Sequence, residues 1–83
     1  MNVLLSSIAK NDIRLLMRVF NAEEEKRGNQ FLENLKESID GILQHDQAKG
    51  SEISVMPMQE FPVNIHYVFE DGETLLITAV FKI

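Results

Sequence analysis

The hydrophobic period changes once along this chain, and that change restricts the fold more than any other feature. In residues 7–20 and 29–45, apolar side chains recur on one side of a helical wheel, which is the pattern of amphipathic helices. From Ile53 onward, apolar residues alternate with polar ones, which is the pattern of half-buried strands. Helices followed by strands are typical of the α+β class, in which the helices cover one side of an antiparallel sheet.

The boundaries between these segments complete the predicted architecture. Asn2–Leu5 is a short apolar run that predicts an N-terminal strand, and Ser6 or Ser7 can cap the first helix. A charged stretch over residues 23–28, ended by glycine, predicts the turn of an antiparallel helical hairpin. Because 83 residues enclose only one small core, we expect a single domain over residues 1–83. Its expected order is β-α-α-β-β-β, with the hairpin packed on one face of a small antiparallel sheet.

The first helix is predicted to turn a broad apolar arc toward the core. The arc consists of Ile8, Ala9, Ile13, Leu15, Leu16, Met17, Val19 and Phe20. Asp12 lies within this arc near the helix start, where we expect its carboxylate to favour the positive end of the helix dipole. On the opposite side Lys10, Arg14 and Arg18 are spaced four apart and form a basic ridge. The basic ridge can contact phosphates or an acidic partner, or it can be an ordinary solvated face.

The last hairpin decides which side chains face away from the helices. A three-residue loop over residues 70–72, with Gly72 in the left-handed conformation, gathers apolar side chains on one face. This register pairs Tyr67 with Leu75, Ile65 with Ile77, Val63 with Ala79 and Phe61 with Phe81. The predicted reverse face then carries Pro62, Asn64, His66, Val68, Thr74, Leu76, Thr78, Val80 and Lys82.

The predicted reverse face indicates a docking surface. Two helices can cover only one side of the sheet, yet this face keeps the apolar residues Val68, Leu76 and Val80. We expect Met56 and Met58 of the preceding strand nearby. Scattered apolar residues on an exposed sheet are also common, so the alternative is a face without function. As partner-binding residues we predict Asn64, His66, Val68, Leu76, Thr78 and Val80.

Few side chains are available for catalysis or metal binding. The chain has no cysteine and only two histidines, His45 and His66, so we expect no disulfide, no metal site and no cofactor. His66 has no carboxylate on its predicted face, and a solvated strand histidine is therefore the simpler interpretation.

The charge balance and the N-terminal segment narrow the function further. The formal net charge of −5 argues against a general nucleic-acid binder, which needs cations to neutralise phosphates. The first residues show neither a basic start nor a long apolar run, so we expect a cytoplasmic protein without a membrane segment.

Four segments carry a resemblance to a known family. They are SSIAKNDI at residues 6–13, GNQFL at residues 28–32, FPVNIHYVFEDG at residues 61–72 and LLITAVF at residues 75–81. In order and spacing they resemble the RelE/ParE superfamily of bacterial toxin–antitoxin systems, on the ParE-like or plasmid-stabilisation side. The resemblance covers nearly the whole chain and implies a small toxin that a cognate antitoxin neutralises by wrapping its surface.

The resemblance implies one of two activities. ParE-like members inhibit DNA gyrase by binding it, whereas RelE-like members cleave mRNA on the ribosome with basic side chains. Residues 51–60 lack the basic residue that the family carries there, and Lys82 stands in place of a histidine. Lys82 and His66 are the remaining catalytic candidates, so we expect a protein-binding toxin with a gyrase-type target. The alternatives are a ribosome-dependent mRNA endoribonuclease and a shortened inactive homologue that retains partner binding, and a homodimer also stays open.

Overall fold

The computed structural model describes residues 2–45 and 53–83 of the chain. Its elements in chain order are β1 (Asn2–Leu5), α1 (Ser7–Glu23), α2 (Arg27–His45), β2 (Ser54–Pro57), β3 (Val63–Phe69) and β4 (Thr74–Lys82). The predicted α+β class and the order β-α-α-β-β-β are therefore confirmed. None of the helices in the described residues is long and apolar enough to cross a membrane.

The helical hairpin begins at a serine cap and reverses in a short turn. The Ser6 hydroxyl accepts a hydrogen bond of 2.9 Å from the Ala9 N–H, so Ser6 rather than Ser7 is the cap of α1. Lys26 adopts a positive φ of 67°, which reverses the chain between the two helices. The predicted hairpin therefore forms, with α1 three residues longer at its C-terminal end than the apolar arc indicates.

The two helices approach each other closely at Gly28. The Gly28 N–H donates a hydrogen bond of 2.8 Å to Asn21 Oδ1. A Cβ atom at this position would lie 2.7 Å from the carbonyl oxygen of Met17. Any larger residue would therefore push α1 and α2 apart, and the glycine sets the distance between them.

Three phenylalanine rings join the hairpin to the sheet. Phe20 of α1, Phe31 of α2 and Phe61, which precedes β3, are 2%, 0% and 3% exposed. Their ring centroids are 5.2, 4.9 and 5.5 Å apart. The guanidinium carbon of Arg27 lies 4.1 Å from the Phe61 centroid and adds a cation–π contact. Because each ring comes from a different segment, the cluster fixes how the helices sit on the sheet.

The sheet is mixed and has the strand order β1-β4-β3-β2. β2, β3 and β4 are antiparallel as predicted, but β1 runs parallel to β4, with Leu5 beside Ile77. The predicted antiparallel sheet is therefore mixed at its β1 edge, because a four-residue apolar run fits either direction. Its direction follows from the position of α1. The Ser6 N–H continues the parallel ladder with a 3.0 Å bond to the Ile77 carbonyl, which starts α1 beside β4.

The turn between β3 and β4 also differs from the predicted one. The Glu70 N–H donates a hydrogen bond of 2.9 Å to the Thr74 carbonyl, so the turn lies one residue further along the chain. The Asp71 carboxylate accepts a bond of 2.8 Å from the Glu73 N–H. Gly72 does not adopt the left-handed conformation. The aspartate side chain therefore organises the turn, and the glycine does not need the unusual backbone that the prediction gave it.

We expect Gly28→Ala to lower the free energy of unfolding by about 1–3 kcal/mol, because the added methyl group meets a backbone oxygen that cannot move aside alone. Gly41→Ala is the matched control in the same helix, since a Cβ at Gly41 has no atom within 4 Å. That control should raise stability by about 0.5–1 kcal/mol. Urea denaturation followed by circular dichroism measures both values, and equal effects would contradict a close approach at Gly28.

Candidate functional site

An extra residue in β4 reverses which of the later side chains face the helices, and we call this reversal the face exchange. Tyr67 of β3 pairs with Ile77, but the preceding residue, His66, pairs with Ala79, which leaves Thr78 as a bulge. The full register is Val63↔Lys82, Asn64↔Phe81, Ile65↔Val80, His66↔Ala79, Tyr67↔Ile77, Val68↔Leu76 and Phe69↔Leu75. Because side chains alternate along a strand, one extra residue turns every later side chain to the other face.

The bulge corrects the predicted assignment of residues to the two faces. Val80 was predicted on the reverse face, but it is 1% exposed and lies in the core. Phe81 was predicted in the core opposite Phe61, but it is 51% exposed and pairs with Asn64. The prediction was wrong for both residues because it assumed unbroken alternation through Thr78.

Three side chains, two of them from outside the β3–β4 hairpin, bond backbone groups around the bulge. The Ser6 hydroxyl donates a hydrogen bond of 2.7 Å to the Thr78 carbonyl. The Val80 N–H donates one of 3.0 Å to the Asp12 carboxylate. The Thr78 hydroxyl donates one of 3.2 Å to the His66 carbonyl. Without these partners, backbone groups that the bulge removes from the ladder would stay unpaired at a cost of about 1–3 kcal/mol each.

Asp12 therefore has a role that the sequence prediction missed. We expected its carboxylate to favour the N-terminal end of α1, but Ser6 fills the capping role and Asp12 bonds β4 instead. The prediction was wrong because it considered only the helix that carries the residue. The position of a carboxylate inside an apolar arc was itself a signal, since even a half-buried acceptor favours a donor on the element packed against it.

The two catalytic candidates lie on opposite sides of the sheet. Lys82 pairs in register with Val63 on the helix side, and its Nζ lies 3.6 Å from the Glu23 carboxylate. The same Nζ lies 5.8 Å from the ring centroid of Phe20. The prediction that Lys82 shares the reverse face with His66 was wrong, again because of the bulge. The structure does not bring these two side chains together as an acid–base pair.

We call the sheet side opposite the helices the open face. The register gathers on it Leu4 beside Leu76, Val68 opposite Leu76, Val55 opposite His66, and Phe81 opposite Asn64. The ring edge of His66 meets Phe81 at 5.0 Å between centroids, with the planes 88° apart. Of the predicted partner-binding residues, Asn64, His66, Val68 and Leu76 lie half-buried on this face, and Thr78 lies at the bulge.

The open face is mainly apolar, with Asn64 and His66 as polar members, and carries no aspartate, glutamate, lysine or arginine from the described strands. Lys82 is the one charged residue in β1 to β4, and it faces the helices. Met56 and Met58, which we expected near this face, are directed to the core instead: Met58 is buried, and Met56 packs against the core opposite Ile65. Leu4, Val55 and Phe81 take their place, so the face remains apolar with different members.

The basic ridge is separate from the open face. Lys10, Arg14 and Arg18 are exposed on α1, as predicted. The described residues contain one ion pair, between Lys82 and Glu23, so the three cations of the ridge have no carboxylate partner there. The described residues also contain no group of histidine, aspartate and glutamate side chains that could hold a metal ion.

The similarity of this chain to known proteins lies in its structure. No protein-family model matches the sequence, and no curated protein matches it. A solved chain described as "Chromosomal ParDE TA system from P. aeruginosa" superposes with a TM-score of 0.79, over 100% of this chain and 96% of that chain, at 9% identity. This chain has a ParE/RelE-like fold. The resemblance predicted from the four sequence segments is therefore confirmed at the level of the fold.

We expect Asp12→Ala to lower the free energy of unfolding by about 1–3 kcal/mol, because the Val80 N–H loses its acceptor inside the protein. Asp40→Ala on the exposed side of α2 removes the same charge and should change stability by less than about 0.5 kcal/mol. Urea denaturation measures both. Amide hydrogen exchange adds a local test, since exchange at Val80 should accelerate in Asp12→Ala alone, and unchanged exchange there would contradict the assigned hydrogen bond.

Proposed function

We propose that this chain is the toxin component of a type II toxin–antitoxin module of the plasmid-stabilisation kind. In this proposal it acts in the cytoplasm by binding a protein of the DNA gyrase type, and a cognate antitoxin neutralises it by docking on the open face. The observation that carries the proposal is the open face itself, a sheet surface with apolar side chains on all four strands, over which neither α1 nor α2 lies.

The chemistry of the open face favours a protein partner. Its central residues, Leu76, Val68 and Phe81, offer the apolar and aromatic area that anchors protein interfaces. Phosphate binding requires cations. Lys82, which follows Phe81 in the sequence, is directed to Glu23 on the other side of the sheet, so it does not supply a cation to the open face. The net charge of −5 acts in the same direction, since it repels a polyanion from the molecule as a whole.

The fold supports the choice of a toxin–antitoxin module. The chain that it matches over its full length belongs to a system described as a chromosomal ParDE TA system, and the likeness of the two folds supports a role in a module of the same kind. A RelE-like ribonuclease is less well supported, because His66 and Lys82 lie on opposite faces and the basic ridge lies on α1. An inactive homologue that keeps only partner binding differs from our proposal in its effect on growth.

Induced expression in a host that lacks the module separates these functions. We expect growth arrest, loss of supercoiling by purified gyrase in the presence of the protein, and no new mRNA ends by primer extension. Arrest accompanied by new mRNA ends would support the ribonuclease instead. Normal growth would contradict an active toxin and leave the inactive homologue.

Co-expression of variants with the adjacent reading frame, followed by co-purification, tests the location of the antitoxin site. We expect Leu76→Arg to reduce co-purification with the protein encoded by the adjacent reading frame by at least about tenfold, because a desolvated arginine has no partner in an apolar interface. Phe81→Ala should weaken it similarly by removing an aromatic anchor. Gln44→Arg adds the same charge on exposed α2 and should leave co-purification unchanged. Full co-purification of both open-face variants would place the antitoxin elsewhere.

A further inference from the structure

A cavity lies between α2 and β2, at the edge of the sheet opposite β1. Its volume is about 300 Å³, at the small end of the range for ligand sites in proteins. The flank of α2 contributes Asn34, Ser38 and Gly41 to the wall, at helical spacing, and β2 contributes Met56 and Pro57. Met56 packs against the core, on the side of the sheet that carries the helices. The α2–β2 cavity is therefore on the other side of the sheet from the open face.

Asn34 gives the α2–β2 cavity a hydrogen-bond donor. This residue is only 6% exposed and is the one buried polar residue among those described. Its Oδ1 accepts a hydrogen bond of 3.4 Å from the Glu60 N–H, whereas its Nδ2 has no partner in the described part of the chain. Since no fully buried side-chain nitrogen there is left unpaired, this Nδ2 reaches the cavity that Asn34 lines. A donor held this deep favours a ligand that brings an acceptor to it, such as a carbonyl oxygen.

Two acceptors lie in the same wall as that donor. Glu37 contributes an exposed carboxylate, and the one ion pair of the described residues lies elsewhere, between Lys82 and Glu23. The Ser38 hydroxyl donates to the Asn34 carbonyl at 2.8 Å, so its oxygen keeps lone pairs for another donor. None of the described residues that line the cavity is a lysine or an arginine. The wall therefore favours a ligand with N–H donors and a positive charge.

Gly41 leaves space beside the backbone of α2. Glycine inside a helix is less favourable than alanine, yet a Cβ atom at Gly41 would have no described atom within 4 Å. Gly28 in the same helix differs, because a Cβ there would lie 2.7 Å from the Met17 carbonyl oxygen. Packing within the described structure therefore explains the glycine at position 28 but not the one at position 41. A ligand that lies against α2 explains the second.

We propose that the α2–β2 cavity binds a basic residue, arginine or lysine, in a peptide segment of another protein. The cation pairs with the Glu37 carboxylate, and a carbonyl of the same peptide accepts from Asn34 Nδ2. The aliphatic stem packs on Met56 and Pro57, as the stems of basic side chains do on apolar surfaces. An anion is disfavoured, because it would meet Glu37 in a chain of net charge −5. The proposal does not require the open face to bind anything.

Three small compounds, titrated into the full chain, separate the parts of this ligand. N-acetyl-arginine N-methylamide carries the cation, the stem and the peptide carbonyls. The matched norleucine compound lacks the charge, and butylguanidine lacks the carbonyls. By heteronuclear NMR we expect the arginine compound to bind with a dissociation constant of about 1 mM or lower. The other two should bind at least about fivefold more weakly, since each loses one polar contact.

The same spectra locate the contact. The largest shifts should occur at the side-chain amide of Asn34 and at the Gly41 N–H, and added salt should weaken the arginine compound more than the norleucine compound. Equal binding of the three compounds would overturn the proposal, and so would an arginine compound that does not bind.

Variants test whether the α2–β2 cavity is the site. We expect Gly41→Leu to fill the space beside α2 and abolish binding, with a urea midpoint equal to or above that of the parent chain. Glu37→Gln should weaken the arginine compound about fivefold and leave the norleucine compound unchanged, because it removes only the charge. Glu33→Gln makes the same change one turn earlier on exposed α2, outside the described cavity wall, and should alter binding less than about twofold.

Two results with these variants would contradict the site. Normal binding in Gly41→Leu would overturn the assignment to the α2–β2 cavity. Equal weakening in Glu37→Gln and Glu33→Gln would show a diffuse attraction to the acidic chain and would overturn the pairing with Glu37.

The open-face variant Leu76→Arg separates this inference from the proposed function. We expect it to bind the arginine compound normally, whatever its effect on antitoxin co-purification. Loss of binding in this variant would show that the compound uses the open face, and would overturn the assignment to the α2–β2 cavity.

Discussion

The hydrogen bond from the Val80 N–H to the Asp12 carboxylate holds β4 at the point where its two faces exchange. The exchange needs an extra residue, Thr78, and the extra residue removes backbone groups from the ladder. Ser6 satisfies the carbonyl of Thr78 with the same hydroxyl that caps α1, so a single side chain starts the helix and fixes the strand. The start of α1 and the exchange of faces in β4 therefore depend on the same contacts, and this shared dependence is one constraint on the fold.

That constraint determines what each side of the sheet can do. It turns Val80 into the core and Phe81 onto the open face, and it sends Lys82 to the helix side, where Glu23 and the ring of Phe20 hold it. The open face therefore lacks the Lys82 side chain that was predicted on it and carries the Phe81 ring instead. A mainly apolar sheet surface without lysine or arginine suits a protein partner, and the net charge of −5 disfavours binding of a polyanion.

Hydrophobic periodicity was sufficient to predict the helices, the element order and most of the core, because those depend on each segment's own pattern. The sheet was harder. In β4 both alternate sets are apolar, with Leu75 and Ile77 on one and Leu76 and Val80 on the other, so hydropathy does not fix the register. No residue type in β4 predicts the bulge. The one indication in the sequence was Asp12, and its partner, the Val80 N–H, lies far along the chain. The prediction that Ile8, Leu15 and Val19 face the core was also wrong, since they are 63%, 48% and 40% exposed. A helical wheel shows which residues are apolar but not how much of the arc the neighbouring elements cover.

Thiol labelling of single-cysteine variants tests the face exchange most directly, since the chain has no cysteine of its own. Under native conditions, the Phe81→Cys thiol should react with a maleimide at nearly the rate of the unfolded chain. The Val80→Cys thiol should react more slowly by on the order of a hundredfold or more, because labelling there requires local opening of the core. A protected thiol at position 81 together with a reactive one at position 80 would contradict the bulge, the open face and the account of function built on them.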